Sequence, residues 1–303
     1  MSDTSASLRR KMLGAGDLLT VVSTMKVMAA ANIVQYEKSV AALGDYYRTV
    51  EIGLCACLRQ RELSARVVER KKTSVAGAIV FGSDQGLVGQ FNDTVTDYAA
   101  EILAARPDNP VIWAVGERVH ARLVAAGLSP VDLFPVPNSV KAITPLVMKI
   151  LMASEKRRNK GEISELNLFY HHQTSGTAYA PVSQRLLPLD ETWRQNLLKL
   201  PWPTKTLPEV MGDNSATLQA LIRSYLFVSI FRACAESLAS ENASRLAAMQ
   251  RAEKNISELL DELTGNFHRL RQSGIDEELF DVIAGFEALN ENENAGHCPK
   301  QNR

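Results

Sequence analysis

From residue 214 to residue 289 apolar side chains recur mostly every three or four positions: Leu218, Leu221, Tyr225, Val228, then Leu238, Leu246, Met249, Ala252, Ile256, Leu259, Leu263, Phe267 and Leu270. This is the spacing of one stripe along a helix, and no proline interrupts it. At about 1.5 Å per residue such a helix reaches roughly 110 Å, more than a compact domain needs, so the stripe requires a partner along its length. A second stripe lies at the other end of the chain, through Val22, Met25, Ala29, Ile33, Tyr36, Val40, Leu43, Tyr47, Val50, Leu54 and Cys57. This first helix is expected to begin at Asp17, a good N-cap after Gly14 and Gly16, and to run to about Glu69. Arg59, Arg61, Arg66, Arg70, Lys71 and Lys72 gather toward its end, where positive charge suits the helix dipole. Two terminal stripes around an insert predict a coiled coil with a domain mounted on it.

The insert opens with residues 75–81, an unbroken small and apolar run that suits a parallel strand covered on both faces. A glycine-bearing turn over 82–92 follows, then a helix (92–105), a strand (111–115), a helix (117–126), a helix (140–158), a strand (165–172) and an extended piece (181–189). Alternating strand and helix predict a parallel α/β unit. Pro201, Pro203 and Pro208 mark the return to the long helix. The expected domains are a coiled-coil helix (1–72), the α/β insert (73–208), a second coiled-coil helix (209–289) and a polar tail (290–303). The tail's composition cannot bury a core, so it is expected to be disordered or folded back.

Lys+Arg and Asp+Glu balance at 34 each, so the chain as a whole has no electrostatic pull toward nucleic acid. Cys55, Cys57, Cys234 and Cys298 have no zinc or redox spacing, which fits reduced thiols. No run of 18 apolar residues and no basic-then-apolar leader occurs, so neither a membrane span nor a secretion signal is expected. The turn glycines Gly82, Gly86 and Gly89 match neither the dinucleotide nor the P-loop pattern, and no lysine follows to hold a phosphate. Neighbouring His171 and His172 alternate across a strand and cannot readily chelate one metal. Ser83 and Asp84 lack an assignable histidine, and in a turn such residues cap backbone. No cofactor and no metal are expected. Two other readings stay open from the residues: an enzyme built on the α/β insert, and a homo-oligomeric coiled-coil adaptor.

Four segments carry a resemblance. Thr24-Met25-Lys26-Val27-Met28-Ala29-Ala30-Ala31 is similar to A-M-x-M-V-A-A-A, and residues 83–92 resemble S-D-R-G-L-C-G-G-F-N. Residues 239–249 are similar to A-S-E-x-A-A-R-M-x-A-M, and residues 259–289 follow E-L-x-x-x-(Y/F)-N-x-x-R-Q-x-x-I-x-x-E-L-x-x-I-x-x-G-x-x-A-L in order, with local substitutions. These segments resemble the gamma subunit of F-type ATP synthases. The resemblance implies an antiparallel coiled coil of the two terminal helices, turning inside a ring of alpha and beta subunits. It implies a Rossmann-like α/β insert beside the epsilon subunit and the membrane rotor ring. Such a subunit has no catalytic site of its own and couples ion flow to ATP synthesis or hydrolysis at the beta subunits. The family's contact positions fall here on Met25, Arg245, Arg271, Gln272 and Glu278, with loop contacts at Asp84 and Gln85. Arg271 and Gln272 match a pair that beta-subunit loops grip, and arginine's fixed fork suits that task.

Departures from the pattern are Gln85 for an arginine, Gln90 for a glycine, Asn32 for a lysine and Asp276 for a threonine, together with the tail beyond residue 289. No cysteine-bearing chloroplast insertion and no transit peptide occur, so the resemblance implies a divergent bacterial copy, peripheral on the cytoplasmic face of the inner membrane, and the departures point to an alternative, sodium-translocating type. Ion choice itself lies in the membrane ring.

Overall fold

The computed structural model of the chain describes residues 4–61, 75–106, 108–175, 178–189, 191–202, 206 and 214–295. The elements in order are α1 (Ser5–Arg61), β1 (Ala76–Phe81), α2 (Phe91–Ala104), β2 (Val111–Val115), α3 (Glu117–Ala125), β3 (Pro130–Phe134), α4 (Val140–Asn159), β4 (Glu165–Ser175), β5 (Ala178–Leu187), α5 (Glu191–Leu198) and α6 (Asn214–Ala295). The expected boundaries at 72/73 and 208/209, the stretch 62–72 of the first helix, and residues 296–303 of the tail lie outside the described residues.

Two compact units divide the chain, one of residues 1–25 and 249–303, the other of residues 26–248. In the first, α1 and α6 face each other alone. Leu8, Ala15, Met249 and Leu263 are buried, and the Ser23 hydroxyl donates to Glu253 Oε1 at 3.2 Å. Contrary to the expected start at Asp17, α1 begins at Ser5, capped by Thr4 Oγ1 accepting from Ser7 N at 3.3 Å. Gly14 and Gly16 do not stop it, because Leu8 and Ala15 are buried and offset the roughly 1 kcal/mol that each glycine costs. At the other end α6 runs on through residues 290–295, where a polar tail was expected. Asn and Glu there supply no breaker, and the first Gly-Pro signals come only at Gly296 and Pro299.

The second unit has three layers. Its sheet has the order β3-β2-β1-β4-β5. β1 pairs in parallel with β2 and β4, and β2 with β3, while β4 and β5 form an antiparallel hairpin, so the expected all-parallel sheet is parallel in three of its four pairings. Alternate side chains of the strands face opposite layers. Ala78, Val80, Ile112, Ala114 and Phe169 pack on Val95, Ala99 and Leu103 of α2 and on Val119 and Leu123 of α3. Ile79, Phe81, Trp113, Leu166 and Leu168 pack on Ile143, Val147 and Ile150 of α4, and on Val50 and Leu54 of α1 with Leu226 and Ile230 of α6.

Within this unit α1 and α6 run antiparallel. Asn32 Nδ2 donates to Asn242 Oδ1 at 3.3 Å, the Tyr47 and Tyr225 rings lie 5.8 Å apart, and Asn214 Nδ2 donates to the Cys57 carbonyl at 3.4 Å. At Gly53 the helices are so close that a Cβ would lie 3.1 Å from Leu221. The coiled coil and the insert therefore share one core.

Candidate functional site

In an open α/β sheet a ligand sits beyond the carboxyl ends of the strands, where the strand order reverses. Here that place lies between β1 and β4, and this molecule's own side chains fill it. The turn after β1 folds back on itself: Ser83 N donates to Asn92 Oδ1 (2.9 Å), Asn92 Nδ2 to Ser83 Oγ (2.8 Å), and Ser83 Oγ to the Gln85 carbonyl (2.8 Å). Asp84 Oδ1 accepts from Glu117 N at the start of α3 (3.0 Å), and Oδ2 from Val136 N (2.9 Å). A carboxylate at a helix N-terminus is stabilised by the helix dipole. Asp84 thus supplies the anion at the start of α3 and ties the β1 turn to the loop after β3.

The glycines are there for closeness. A Cβ on Gly82 would lie 2.3 Å from Val119 Cβ, and one on Gly116 would lie 2.8 Å from the Ser83 carbonyl oxygen. Gly116 also takes φ of 117°, a region that favours glycine.

Across the crevice, Phe91 stacks on His171 with ring centroids 4.3 Å apart, and Tyr179 meets both edge-on. His171 Nε2 and Thr94 Oγ1 are 2.9 Å apart, and burial pushes the imidazole pKa down to about 3, so it is neutral. α6 closes the top: Ser240 Oγ donates to the His171 carbonyl (3.2 Å), Tyr179 and Ser244 share a hydrogen bond (2.9 Å), and Ser244 Oγ donates to the Val88 carbonyl. His172, on the other face, lies 2.8 Å from Glu236 Oε2, whose Oε1 accepts from Arg232 Nε at 2.6 Å. Among the described residues, no three His, Cys, Asp or Glu side chains gather to hold a metal.

The remaining sequence-predicted positions separate into two groups. Arg245 is turned inward: its guanidinium donates to Glu241 Oε1 at 2.7 Å, with side chains 12% and 7% exposed. Burial raises the Glu241 pKa against the opposing pull of Arg245. The pair sits beside Tyr36 of α1, whose own pKa burial and Glu241 raise. Arg245 thus turns inward, paired within α6 beside Tyr36 of α1. Arg271, Gln272 and Glu278 are exposed on α6, Met25 is half-buried on α1, and Gln85 is exposed beside the half-buried Asp84.

The structure adds a feature that the stripes did not announce. In the first unit Leu13, Leu18 and Val21 of α1 and Ile275, Leu279, Phe280 and Val282 of α6 are exposed, the last two at 69%. In the second unit Val27 and Met28 of α1 are exposed at 66% and 60%. Both long helices contain a stretch long and apolar enough to cross a membrane; that of α6 is more than half buried within the chain, that of α1 hardly at all. The sequence signal was the apolar segment 25–31, which has no single polar face.

A protein-family model described as ATP synthase matches residues 4–289. The ATP synthase gamma chain of Moorella thermoacetica is 28% identical over 290 residues, covering 93% of this chain and 98% of its own length. That of Mycolicibacterium smegmatis is 25% identical over 306 residues, covering 95% and 99%. The chain belongs to the gamma-subunit family of F-type ATP synthases. The gamma subunit is the central stalk of that enzyme, and this is the role of the chain. A chain of the Euglena gracilis mitochondrial ATP synthase, in a cryo-EM structure of OSCP, F1 and c-ring, shares the fold with a TM-score of 0.64 at 15% identity, over 99% of this gamma subunit and 98% of that chain. A chain of the same enzyme's rotor gives 0.60 at 17% identity, covering 89% and 98%.

Proposed function

We propose that this gamma subunit turns inside a ring of alpha and beta subunits and has no catalytic site of its own. The observation that carries the reading is the pairing of a filled crevice with uncovered helices. The place where an α/β domain would hold a nucleotide is occupied by Phe91, His171 and Ser244, while α1 leaves Val27 and Met28 open and α6 leaves Phe280 and Val282 open. Large apolar side chains left exposed on a helix mark a surface that another protein covers. A shaft that turns in a ring needs such a surface, apolar enough to be sheathed and without a deep lock to any one partner.

Coupling then needs polar points where ring and shaft engage in some orientations and not in others. Arg271, Gln272 and Glu278 are placed for this on the exposed face of α6, with Met25 on α1. The insert, with Gln85 and the Asp84 turn, sits toward the epsilon subunit and the membrane rotor ring. The complex is peripheral on the cytoplasmic face of a bacterial inner membrane, and flow of protons or sodium ions through that ring drives the rotation.

The test is purification of the assembled enzyme through an affinity tag on this chain, followed by an ATPase assay. Alpha, beta and epsilon subunits are expected in the eluate, and Arg271→Ala with Gln272→Ala is expected to lower ion-coupled ATPase activity while the complex still assembles. A chain that elutes alone and binds nucleotide would overturn the reading and return attention to the turn after β1.

A further inference from the structure

A cleft between the last turn of α4 and the first turns of α6 is lined by Glu155, Arg158, Asn159, Gln219, Arg223 and Leu226. Its charges do not close on themselves. Arg223 Nε lies 3.6 Å from Glu155 Oε1 and is 72% exposed, so this contact is loose and solvated. Arg158 has no carboxylate at all among the described residues, and its Nε is a buried donor with no hydrogen-bond partner. Buried donors in folded proteins are almost always paired, and a guanidinium left open is a place where a ligand or a partner supplies the acceptor. The neighbouring basic side chains do not compete for one: Arg157 donates to Glu162 Oε2 at 2.9 Å and Arg106 holds Glu165 in a two-pronged pair. Among the described residues, Arg158 is thus an arginine without a carboxylate partner at the end of the insert where β1 and β4 begin.

We propose that this cleft binds a phosphate-bearing anion. Arg158 from α4 and Arg223 from α6 line the cleft together with Ile222, Leu226, Asn159 and Gln219. Guanidinium forks pair with oxyanions through parallel N–H donors, and a tetrahedral phosphate has oxygens enough for both arginines and an amide. The carboxylate that Arg223 needs is already present in Glu155, so the open valence is that of Arg158 plus whatever Arg223 shares. Inorganic phosphate and the headgroup of an anionic phospholipid both present this chemistry. Binding there would tie the end of α4 to the start of α6.

The full-length chain, titrated with inorganic phosphate and followed by 31P line broadening, reports the free anion; flotation with phosphatidylglycerol vesicles against phosphatidylcholine vesicles reports the headgroup. Saturable binding in either arm is expected, weakened about tenfold by Arg158→Gln and also by Arg158→Lys, which keeps the charge but loses the fork. Glu155→Gln is expected to tighten it. Phosphate binding without flotation assigns the free anion, and flotation that phosphate competes away assigns the headgroup. The proposal is overturned if neither arm shows binding, or if a circular-dichroism-verified folded Arg158→Lys binds as the wild type does.

Discussion

Asp84 lies in a segment shared with the family, yet both of its oxygens are occupied inside the insert, by Glu117 N and Val136 N. Its first role is therefore to fasten the β1 turn to the start of α3. Asp84→Ala is expected to lower stability by about 2 kcal/mol in urea unfolding, the usual cost of stranding donors bonded to a charged acceptor, and an unchanged midpoint would contradict this role. Arg245 is a heavier case. Its removal leaves Glu241 buried beside Asp84 without a countercharge, so Arg245→Ala is expected to cost about 3–5 kcal/mol, and adding Glu241→Gln should recover much of the loss. His171 gives a pH signature. Its pKa falls from 6.5 to about 3 on folding, so below pH 6.5 the unfolded chain takes up a proton that the folded one refuses. Stability accordingly drops as the pH falls through that window and is fully present above it. His171→Phe should remove this part of the slope, seen as a smaller difference between unfolding midpoints at pH 5 and pH 7.

Among the elements, α6 is held by few local devices and by much packing. Gly265 and Gly274 lie in its distal part, and a Cβ at either would meet nothing within 4 Å. Gly274→Ala is therefore expected to stabilise the helix by about 1 kcal/mol, visible as a raised melting temperature; a lowered one would show that the glycine is needed for something other than room. The long helices and α2, α3, α4, β2 and β4 were legible because each buries a stripe or a face whose period survives in the sequence. β3 was not: Pro130, Pro135 and Pro137 crowd this short segment, and as an edge strand it keeps Val131 and Leu133 partly exposed, so alternation is blunted. The eight-residue α5 carries too few apolar positions to show a period, with Leu197 alone buried. The start of α1 was misplaced because Gly14 and Gly16 weigh as breakers locally, whereas pairing with α6 decides the outcome. Of the candidate residues, those at exposed helix positions could be placed from the motif, but the inward turn of Arg245 depends on Glu241 one helical turn away and on Tyr36 across the coil, which only packing reveals.

At the scale of the whole molecule, a central stalk has to transmit torque between two places. The shared core of coil and insert supplies the rigidity: Arg232, Glu236 and His172 link α6 to β4, and Val50 and Leu54 of α1 lie in the same core as β1 and α4. Turning the insert must therefore turn both helices within that unit. On the proposed reading, the exposed apolar residues of α1 and α6 are what the ring sheathes, and Arg271, Gln272 and Glu278 are the points of engagement. The most direct measurement is single-molecule rotation: the alpha and beta ring fixed to glass, a bead attached to this chain through a cysteine engineered on the insert, and ATP added. Sustained, stepwise rotation in one direction, with pauses or slippage increased by Arg271→Ala and Gln272→Ala, is the predicted result. A chain that enters the ring and stays still while ATP is hydrolysed at an undiminished rate would contradict the account.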